Sequence, residues 1–317
     1  MPVYVNTNYS ALQGQRYLGN VQNSLTTTYQ RLSSGMRINS AKDDAAGLQI
    51  ADRLTSQING LNQGNRNASD GIALAQTMEA GMDEVSGMLQ KIRTLAVQAN
   101  NGTNTNEDRR SIGKEMEALL NEVNRIARKT TFAGKSILNG QIKDSIFGDP
   151  ANQQGNALHG GTGTLTLQVG SNKGDVISFN AESVMFSALA NGDLIGADAA
   201  KVFKTSNTGD FTVTLTKAKT DASNDSISAI INLMDGAISK VDGYRADLGA
   251  IQNRLESSIR NQSNVAANEA DARSRIRDAD FAEESANLSQ QSIIQQAAAS
   301  MLMQANTRPQ LGLSLLG

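Results

Sequence analysis

Few side chains in this sequence could carry out a reaction. The chain has no cysteine, which excludes disulfide bonds, thiolate metal sites and a cysteine nucleophile. Its single histidine, His159, lies among glycines and small residues, where an exposed loop position is a better interpretation than a metal ligand or a serine–histidine pair. Gly134-Lys135-Ser136 matches the end of a phosphate-binding loop, but the motif needs a glycine where this sequence has Lys129. The sequence therefore predicts no catalytic residue, no metal ion and no cofactor.

The remaining polar motifs also have structural explanations. Asp43 and Asp44, and likewise Glu283 and Glu284, stand where helices are expected to begin. A negative charge there is stabilised by the positive end of the helix dipole. The triplet Asn101-Gly102-Thr103 matches an N-glycosylation acceptor, but a chain this rich in Asn, Ser and Thr matches by chance.

Long helices are the elements that position everything else in this chain. Apolar residues recur at alternating steps of three and four in the first and last thirds of the sequence, a pattern that keeps one face of a helix against a partner helix. It predicts helices over about 8–32, 40–100, 106–129 and 223–271, and one more after residue 280. The faces include Ala51, Leu54, Ile58, Leu61, Met78, Met82, Val85, Leu89, Ile92, Ala96, Ala99, Ile112, Met116, Leu119, Val123, Ile227, Ile231, Met234, Ile238 and Val241.

Local signals set the expected helix ends. Gly35 suits the left-handed position after the first helix, and Ser40 is a good cap for the second. A break is expected over residues 273–278, after which Asp280 is expected to cap the last helix and Pro309 to limit it.

The middle of the chain changes character. Residues 164–169 alternate polar and apolar, 170–174 form a turn and 175–180 return, which predicts a β-hairpin. Phe211, Val213 and Leu215 predict a further strand. Because the helical spacing is absent between Ile126 and Ile227, we expect residues 181–220 to face outward and to be removable without unfolding the helices.

Composition narrows the class of protein. The net charge of −2 and the scattered lysines and arginines weigh against nucleic-acid binding. The sequence contains no run of about 18 apolar residues, so it predicts no membrane span. The N-terminal residues lack both the charged region and the apolar region that a Sec signal contains. Aromatic residues make up only 4% of the chain, which suits thin helix packing better than a large globular core.

Several runs resemble the signatures of bacterial flagellin, in a short form that lacks large outer domains. The longest is RLSSGMRINSAKDDAAGLQIA at residues 31–51, and the resemblance extends over roughly residues 1–140 and 222–317. Further matching runs lie at 66–72, 92–98, 248–255, 272–280, 304–306 and 313–316.

The resemblance implies a mainly α protein: a long antiparallel coiled-coil helical rod made from both chain ends, with a small β-hairpin region in the middle. It implies five segments: an inner-tube helix and linker (1–39), N-terminal rod helices (40–140), a β-hairpin and variable middle (141–221), a C-terminal rod helix (222–272), and a linker with the C-terminal inner-tube helix (273–317). The implied function is a subunit that polymerises with itself into the extracellular filament of the bacterial flagellum, the propeller for swimming. Two alternatives stay open: a surface-displayed homologue acting as an adhesin or carbohydrate receptor, and a hook–filament junction protein.

The resemblance also implies partners and sites. Export would follow the flagellar type III pathway, and the implied partners are the export chaperone, the filament cap, the hook–filament junction proteins and the flagellin-sensing Toll-like receptor. The residues expected at the polymerisation contacts are Leu18, Val21, Leu25, Leu32, Ile294, Ala298, Met301, Leu302 and Ala305. The receptor motif falls on Lys91, Arg93, Leu95, Gln98 and Glu115, and because Leu95 lies off the seam of Ile92, we expect its side chain to be partly exposed.

Overall fold

The computed structural model describes residues 7–140, 145–147, 163–189, 203–205, 211–213, 215 and 222–314. The helices are α1 (Tyr9–Ser34), α2 (Ala45–Ala99), α3 (Asn106–Lys129), α4 (Phe186–Leu189), α5 (Ala222–Arg277) and α6 (Phe281–Ser314). The strands are β1 (Thr131–Phe132), β2 (Lys135–Ser136), β3 (Gly163–Gln168), β4 (Val176–Ala181), β5 (Phe203–Thr205) and β6 (Phe211–Val213), paired antiparallel as β1–β2, β3–β4 and β5–β6. The predicted fold class is confirmed. Among these residues no helix is apolar enough over sufficient length to cross a membrane, and His159 lies outside them.

Capping groups fix the starts of the helices, and one prediction about them was wrong. Ser40 does not cap α2, which begins at Ala45 with the Asp44 carboxylate accepting from the Gly47 amide at 2.9 Å. Ser40 instead lies in a preceding turn, where its amide and hydroxyl both donate to the Asp43 carboxylate. Asp44 takes the cap because its side chain reaches an amide three residues ahead, the geometry that a cap requires.

The ends of the last two helices also differ from the prediction. Gly35 adopts the predicted left-handed conformation, with φ 68°, and Asp280 accepts from the Ala282 amide as the predicted cap of α6. However, α5 continues to Arg277, because residues 264–277 contain no glycine or proline to interrupt it. Helix α6 likewise continues past Pro309 to Ser314.

The chain divides into two compact units. The terminal unit comprises Met1–Asn59 and Asn264–Gly317, and the central unit comprises Gly60–Ser263. In the terminal unit α1 and α6 run antiparallel: Asn8 donates to the Ala305 carbonyl at one end of the pair. At its other end three backbone bonds join the linkers: the Arg277 carbonyl accepts from Arg37 at 2.7 Å and from Ile38 at 3.4 Å, and the Gly35 carbonyl accepts from Ala279 at 3.0 Å.

In the central unit, α2 packs antiparallel to both α3 and α5. The ion pair of Lys91 with Glu115 joins α2 to α3 at 3.1 Å. The Gln252 amide of α5 donates to Glu79 of α2 at 3.0 Å. The continuous apolar core of this unit includes Leu74, Met78, Met82, Val85, Leu89, Ile92, Met116, Leu120, Val123, Ile230, Leu233, Met234, Val241 and Leu255. These are mainly the positions that the three-and-four spacing selects.

The predicted β-hairpin, now β3–β4, is confirmed and packs tightly on α2. A Cβ placed on Gly64 would lie 1.9 Å from the Val169 carbonyl oxygen, and one on Gly71 would lie 2.4 Å from Leu167 Cδ1. Only glycine allows the backbone of a strand to come this close to a helix.

The expectation that residues 181–220 are peripheral is wrong for the part that the structure describes. Val184, Phe186, Leu189, Val213 and Leu215 are all buried and belong to the core of the central unit. These apolar side chains show no long helical spacing because they lie in the four-residue helix α4, in the short strand β6 and in the residues beside them. They are buried nonetheless, because an apolar side chain that leaves water is stabilised whatever its backbone conformation.

Candidate assembly surface on the terminal helices

The interface between α1 and α6 is narrow. Val21, Leu25 and Ala298 are its buried apolar residues, and Leu302 contacts α1 at Gly14, where an added Cβ would lie 3.3 Å from Leu302 Cδ1. The residues predicted for polymerisation therefore divide into three groups: buried (Val21, Leu25, Ala298), half-buried (Leu18, Leu32, Ile294, Leu302, Ala305) and exposed (Met301). Most of the predicted set is therefore wholly or partly buried within one chain, and only Met301 is exposed.

Polar contacts fix the register of this pair. Arg31 forms an ion pair with Glu284 at 3.2 Å, and only 9% of the Glu284 side chain is exposed. The Thr28 hydroxyl lies 3.4 Å from Gln291 Oε1. A buried carboxylate needs its partner, so sliding one helix along the other would leave Glu284 unpaired at a cost of several kcal/mol.

Large apolar side chains on the outside of the pair remain exposed to solvent. We call them the outer apolar set: Tyr9, Leu12, Tyr17, Tyr29, Phe281, Ile293, Met301 and Met303. Their exposed fractions run from 49% at Leu12 to 73% at Tyr9. Eight of the twelve large apolar side chains that are exposed among the described residues lie on this one helix pair, and such a concentration marks a candidate site of interaction with another molecule.

A groove of about 630 Å³ runs between the two helices beside this set. Tyr17 and Met301 form part of its wall, and the small residues Gly14 and Ala298 also line it. The remaining lining residues are Ser10, Gln13, Gln304 and Ala305. Among the described residues no group of His, Cys, Asp or Glu could hold a metal ion.

Sequence reasoning identified only Met301 of the outer apolar set. A three-and-four spacing finds the face that pairs the two helices, and the other apolar residues lie off that face. One signal was available: three of the five tyrosines of the chain lie in α1, although aromatic residues are rare elsewhere. A polar helix that carries the rare aromatic residues is a candidate interaction surface.

The residues predicted to meet an innate receptor lie on α2 and α3 of the central unit. Lys91 and Glu115 are exposed and paired with each other, and Gln98 is exposed near the end of α2. Arg93 pairs with Asp235 of α5, whose hydrogen bond raises the pKa of Arg93 above its ordinary value. Leu95 is buried rather than partly exposed, because α2 contacts both α3 and α5 and so buries a face wider than one seam.

Comparison with known proteins decides the family. The family model for the bacterial flagellin N-terminal helical region matches residues 5–143, and the model for the C-terminal helical region matches residues 231–316. Flagellin B of Vibrio cholerae serotype O1 is 37% identical over an alignment that covers all of both chains. The chain belongs to the bacterial flagellin family. Polar flagellin C of Vibrio parahaemolyticus serotype O3:K6 is 35% identical, again over the full length of both chains.

This flagellin is a structural subunit of the flagellar filament. The alignment with the Vibrio cholerae flagellin spans 376 positions against 317 residues here, which agrees with the expectation of a short form. A solved structure of Bacillus cereus flagellin is 26% identical and covers 64% of this chain and 94% of its own, with a TM-score of 0.42. A Vibrio parahaemolyticus protein described as flagellar hook-associated covers 74% of this chain and all of its own, with a TM-score of 0.57 at 15% identity. At that identity the second likeness shows the fold alone.

Proposed function

We propose that the outer apolar set is the polymerisation surface of this flagellin. Eight large apolar side chains are exposed on one pair of helices, and the groove between these helices is open. Since every copy carries the same set and the same groove, the set of one copy can enter the groove of the next. A contact between two different surfaces does not close on itself and so generates a filament.

The buried residues of the predicted polymerisation list contribute to an earlier step in this scheme, the pairing of α1 with α6 within one chain. Val21, Leu25 and Ala298 hold α1 against α6, and the Arg31–Glu284 ion pair fixes their register. A charge placed at Leu25 would therefore separate the helices of one chain, and it would prevent polymerisation indirectly.

A matched set of α6 variants tests this division. We expect Ile293→Asp and Met301→Asp to raise the critical concentration for seeded polymerisation at least tenfold, since losing about 1.4 kcal/mol per contact gives that factor. Gln296→Asp places the same charge on an exposed polar position of the same helix and should polymerise normally. Negative-stain microscopy and circular dichroism of the monomers would measure assembly and folding. Normal filaments from both apolar variants would exclude the outer apolar set as the contact.

Other properties of the family extend this proposal. We propose that the chain acts without enzymatic activity, leaves the cell by the flagellar type III pathway, and meets the export chaperone, filament cap and junction proteins on the way. The adhesin and junction-protein alternatives predict no self-seeded filaments, so the same polymerisation assay separates them.

We also propose that the flagellin-sensing Toll-like receptor contacts α2 and α3 at Lys91, Arg93, Gln98 and Glu115. Their exposure supports the proposal, whereas the buried Leu95 can act only by shaping the helix. Receptor signalling in reporter cells should fall with Gln98→Ala and Lys91→Ala, and should be unchanged by Gln76→Ala on an exposed position of the same helix. A response that both variants leave intact would rule this surface out.

A further inference from the structure

We propose that Asn101 deamidates without an enzyme, so that this flagellin modifies itself in the turn between α2 and α3. The sequence contains four Asn-Gly pairs, at 59–60, 101–102, 139–140 and 191–192, of which the last lies outside the described residues. The other three have the same chemistry but stand in different surroundings.

The reaction needs a free nucleophile beside a free side chain. The Gly102 backbone nitrogen attacks Cγ of Asn101, and a new C–N bond closes a five-membered imide. The Gly102 nitrogen loses its proton, Nδ2 gains one, and the Cγ–Nδ2 bond breaks to release ammonia. Solvent water then opens the imide at either carbonyl, which leaves aspartate or isoaspartate at position 101. Only water is consumed, and no oxidant, reductant or cofactor takes part.

The turn meets these requirements. Asn101 and Gly102 are both exposed, and a Cβ placed on Gly102 would find no atom within 4 Å. The Gly102 amide donates to no acceptor among the described residues, and Asn101 Oδ1 accepts only one long bond, from the Thr103 amide at 3.4 Å. The peptide group between the two residues is held at the Asn101 carbonyl, which accepts from the Asn104 amide at 3.3 Å and from Arg109 at 3.2 Å. Only these local bonds of the turn have to open before it reaches the imide geometry.

The other two described Asn-Gly pairs should deamidate more slowly, each for a different reason. Asn59 is exposed, but Gly60 lies inside α2, where its amide is a donor of the helix. Asn139 is only 6% exposed and forms a β-bridge with Ser183, while Gly140 is fixed at φ 64°. Both pairs require the structure to open before they react, and each 1.4 kcal/mol of opening free energy slows the reaction tenfold.

The surroundings of Asn101 also suit the product. Its carbonyl accepts from Nη2 of Arg109 at 3.2 Å, and Arg109 is 1% exposed, with no partner for Nε and Nη1 among the residues that the structure describes. A carboxylate at position 101 places a negative charge beside an arginine that pairs with no acidic side chain in the described part of the chain. It also stands just before the positive end of α3, which begins at Asn106. Each copy in a filament would thus gain a negative charge with age, in a turn that tolerates it.

Timed incubation of the folded protein, followed by peptide mass spectrometry, tests the proposal. We expect Asn101 to convert at least tenfold faster than Asn59 and Asn139 in the same sample, and all three to convert at similar rates after unfolding in urea. Gly102→Ala should slow conversion roughly tenfold, because its Cβ shields the attacking nitrogen. Gly102 does not adopt the left-handed conformation, so this variant should melt as the wild type does.

Three results would overturn the proposal. They are equal rates at the three sites in the folded protein, a rate at Asn101 that Gly102→Ala leaves unchanged, and a glycan on Asn101 in the native filament. The product form is tested separately with Asn101→Asp, which we expect to fold and to melt no lower than the wild type. A lower melting temperature would show that the turn does not accommodate the carboxylate.

Discussion

The central unit buries most of its apolar side chains, whereas the α1–α6 pair leaves many of its own exposed. Three helices and several strands of the central unit enclose one continuous core, in which Met82, Val85 and Leu89 are almost fully buried. The α1–α6 pair buries Val21, Leu25 and Ala298 and leaves a larger apolar set outside. A single helix pair is too small to be stable in water by itself. We infer that the central unit folds in the isolated chain, whereas the α1–α6 pair is completed by other copies.

Hydrogen exchange should give the largest contrast between the two regions. In dilute monomer we expect amides around Val21 and Ala298 to exchange roughly a thousandfold faster than those around Val85, because the helix pair opens locally and the core opens only with global unfolding. Assembly into filaments should remove the contrast. Equal protection in the monomer would show that the pair is stable alone.

Two phenylalanines provide a matched test of burial. Phe186 is 1% exposed and lies in the core of the central unit, so Phe186→Ala should reduce the free energy of unfolding by about 3–5 kcal/mol. Phe281 on α6 is 59% exposed, and Phe281→Ala should change it by less than about 0.5 kcal/mol while weakening polymerisation. Urea unfolding measures both variants. A small effect at Phe186 would restore the view that residues 181–220 are peripheral.

Two glycines of α2 test how closely the β3–β4 hairpin belongs to the central unit. Gly64→Ala should destabilise this unit by about 1–3 kcal/mol, since the new Cβ would overlap the Val169 carbonyl. Gly87→Ala meets no atom within 4 Å and should stabilise α2 by about 0.5–1 kcal/mol. Thermal unfolding distinguishes the two. If Gly64→Ala also stabilised the protein, the hairpin would not be held tightly against the helix.

The smallest expected effect is on acid stability. Hydrogen bonds from Thr105 lower the pKa of Asp108 in the central unit below its ordinary value of 3.8, and bonds from Ser40 and Asn39 do the same for Asp43 in the terminal unit. A lowered pKa in the folded state means that the carboxylate stabilises the fold above the ordinary pKa, and that this contribution is lost as the pH falls through the folded value.

Alanine variants of the two carboxylates would separate the units. Asp108→Ala should slightly lower the melting temperature of the central unit at neutral pH, and the difference from wild type should disappear once the pH has fallen well below 3.8 and the Asp108 carboxylate is protonated. Asp43→Ala should leave that transition unchanged, because Asp43 belongs to the terminal unit. A constant difference at every pH would mean that the Asp108 charge contributes nothing.

The sequence was sufficient for features that depend on regular spacing. Residues such as Met78, Met82 and Val85 recur with the period of a helix, and each turned out buried. The hairpin followed from alternation in the same way. Spacing identifies the face of one element but not the number of its partners. Leu95 was therefore misjudged, because a helix between two neighbours buries more than one seam.

Irregular burial could not be predicted. Val184, Phe186 and Val213 enter the core from short elements in which no period develops. Ser40 and Asp44 are both good capping residues, and only the three-dimensional path of the linker decides between them. The outer apolar set was missed for a related reason. Its side chains are exposed because nothing in the folded helix pair covers them, and spacing in the sequence does not give that information.

The bond between Asn8 and Ala305 joins residues that are 297 positions apart in the sequence. The contacts of Thr28 with Gln291 and of Arg31 with Glu284 span 263 and 253 positions. The pairing partner of α1 is therefore made long after α1 itself. A chain that is cut between α5 and α6 still contains the residues of the central core, yet its first helix lacks a partner helix. The topology thus works as a check on synthesis: only a molecule that includes α6 can present both helices of the pair to a growing filament tip.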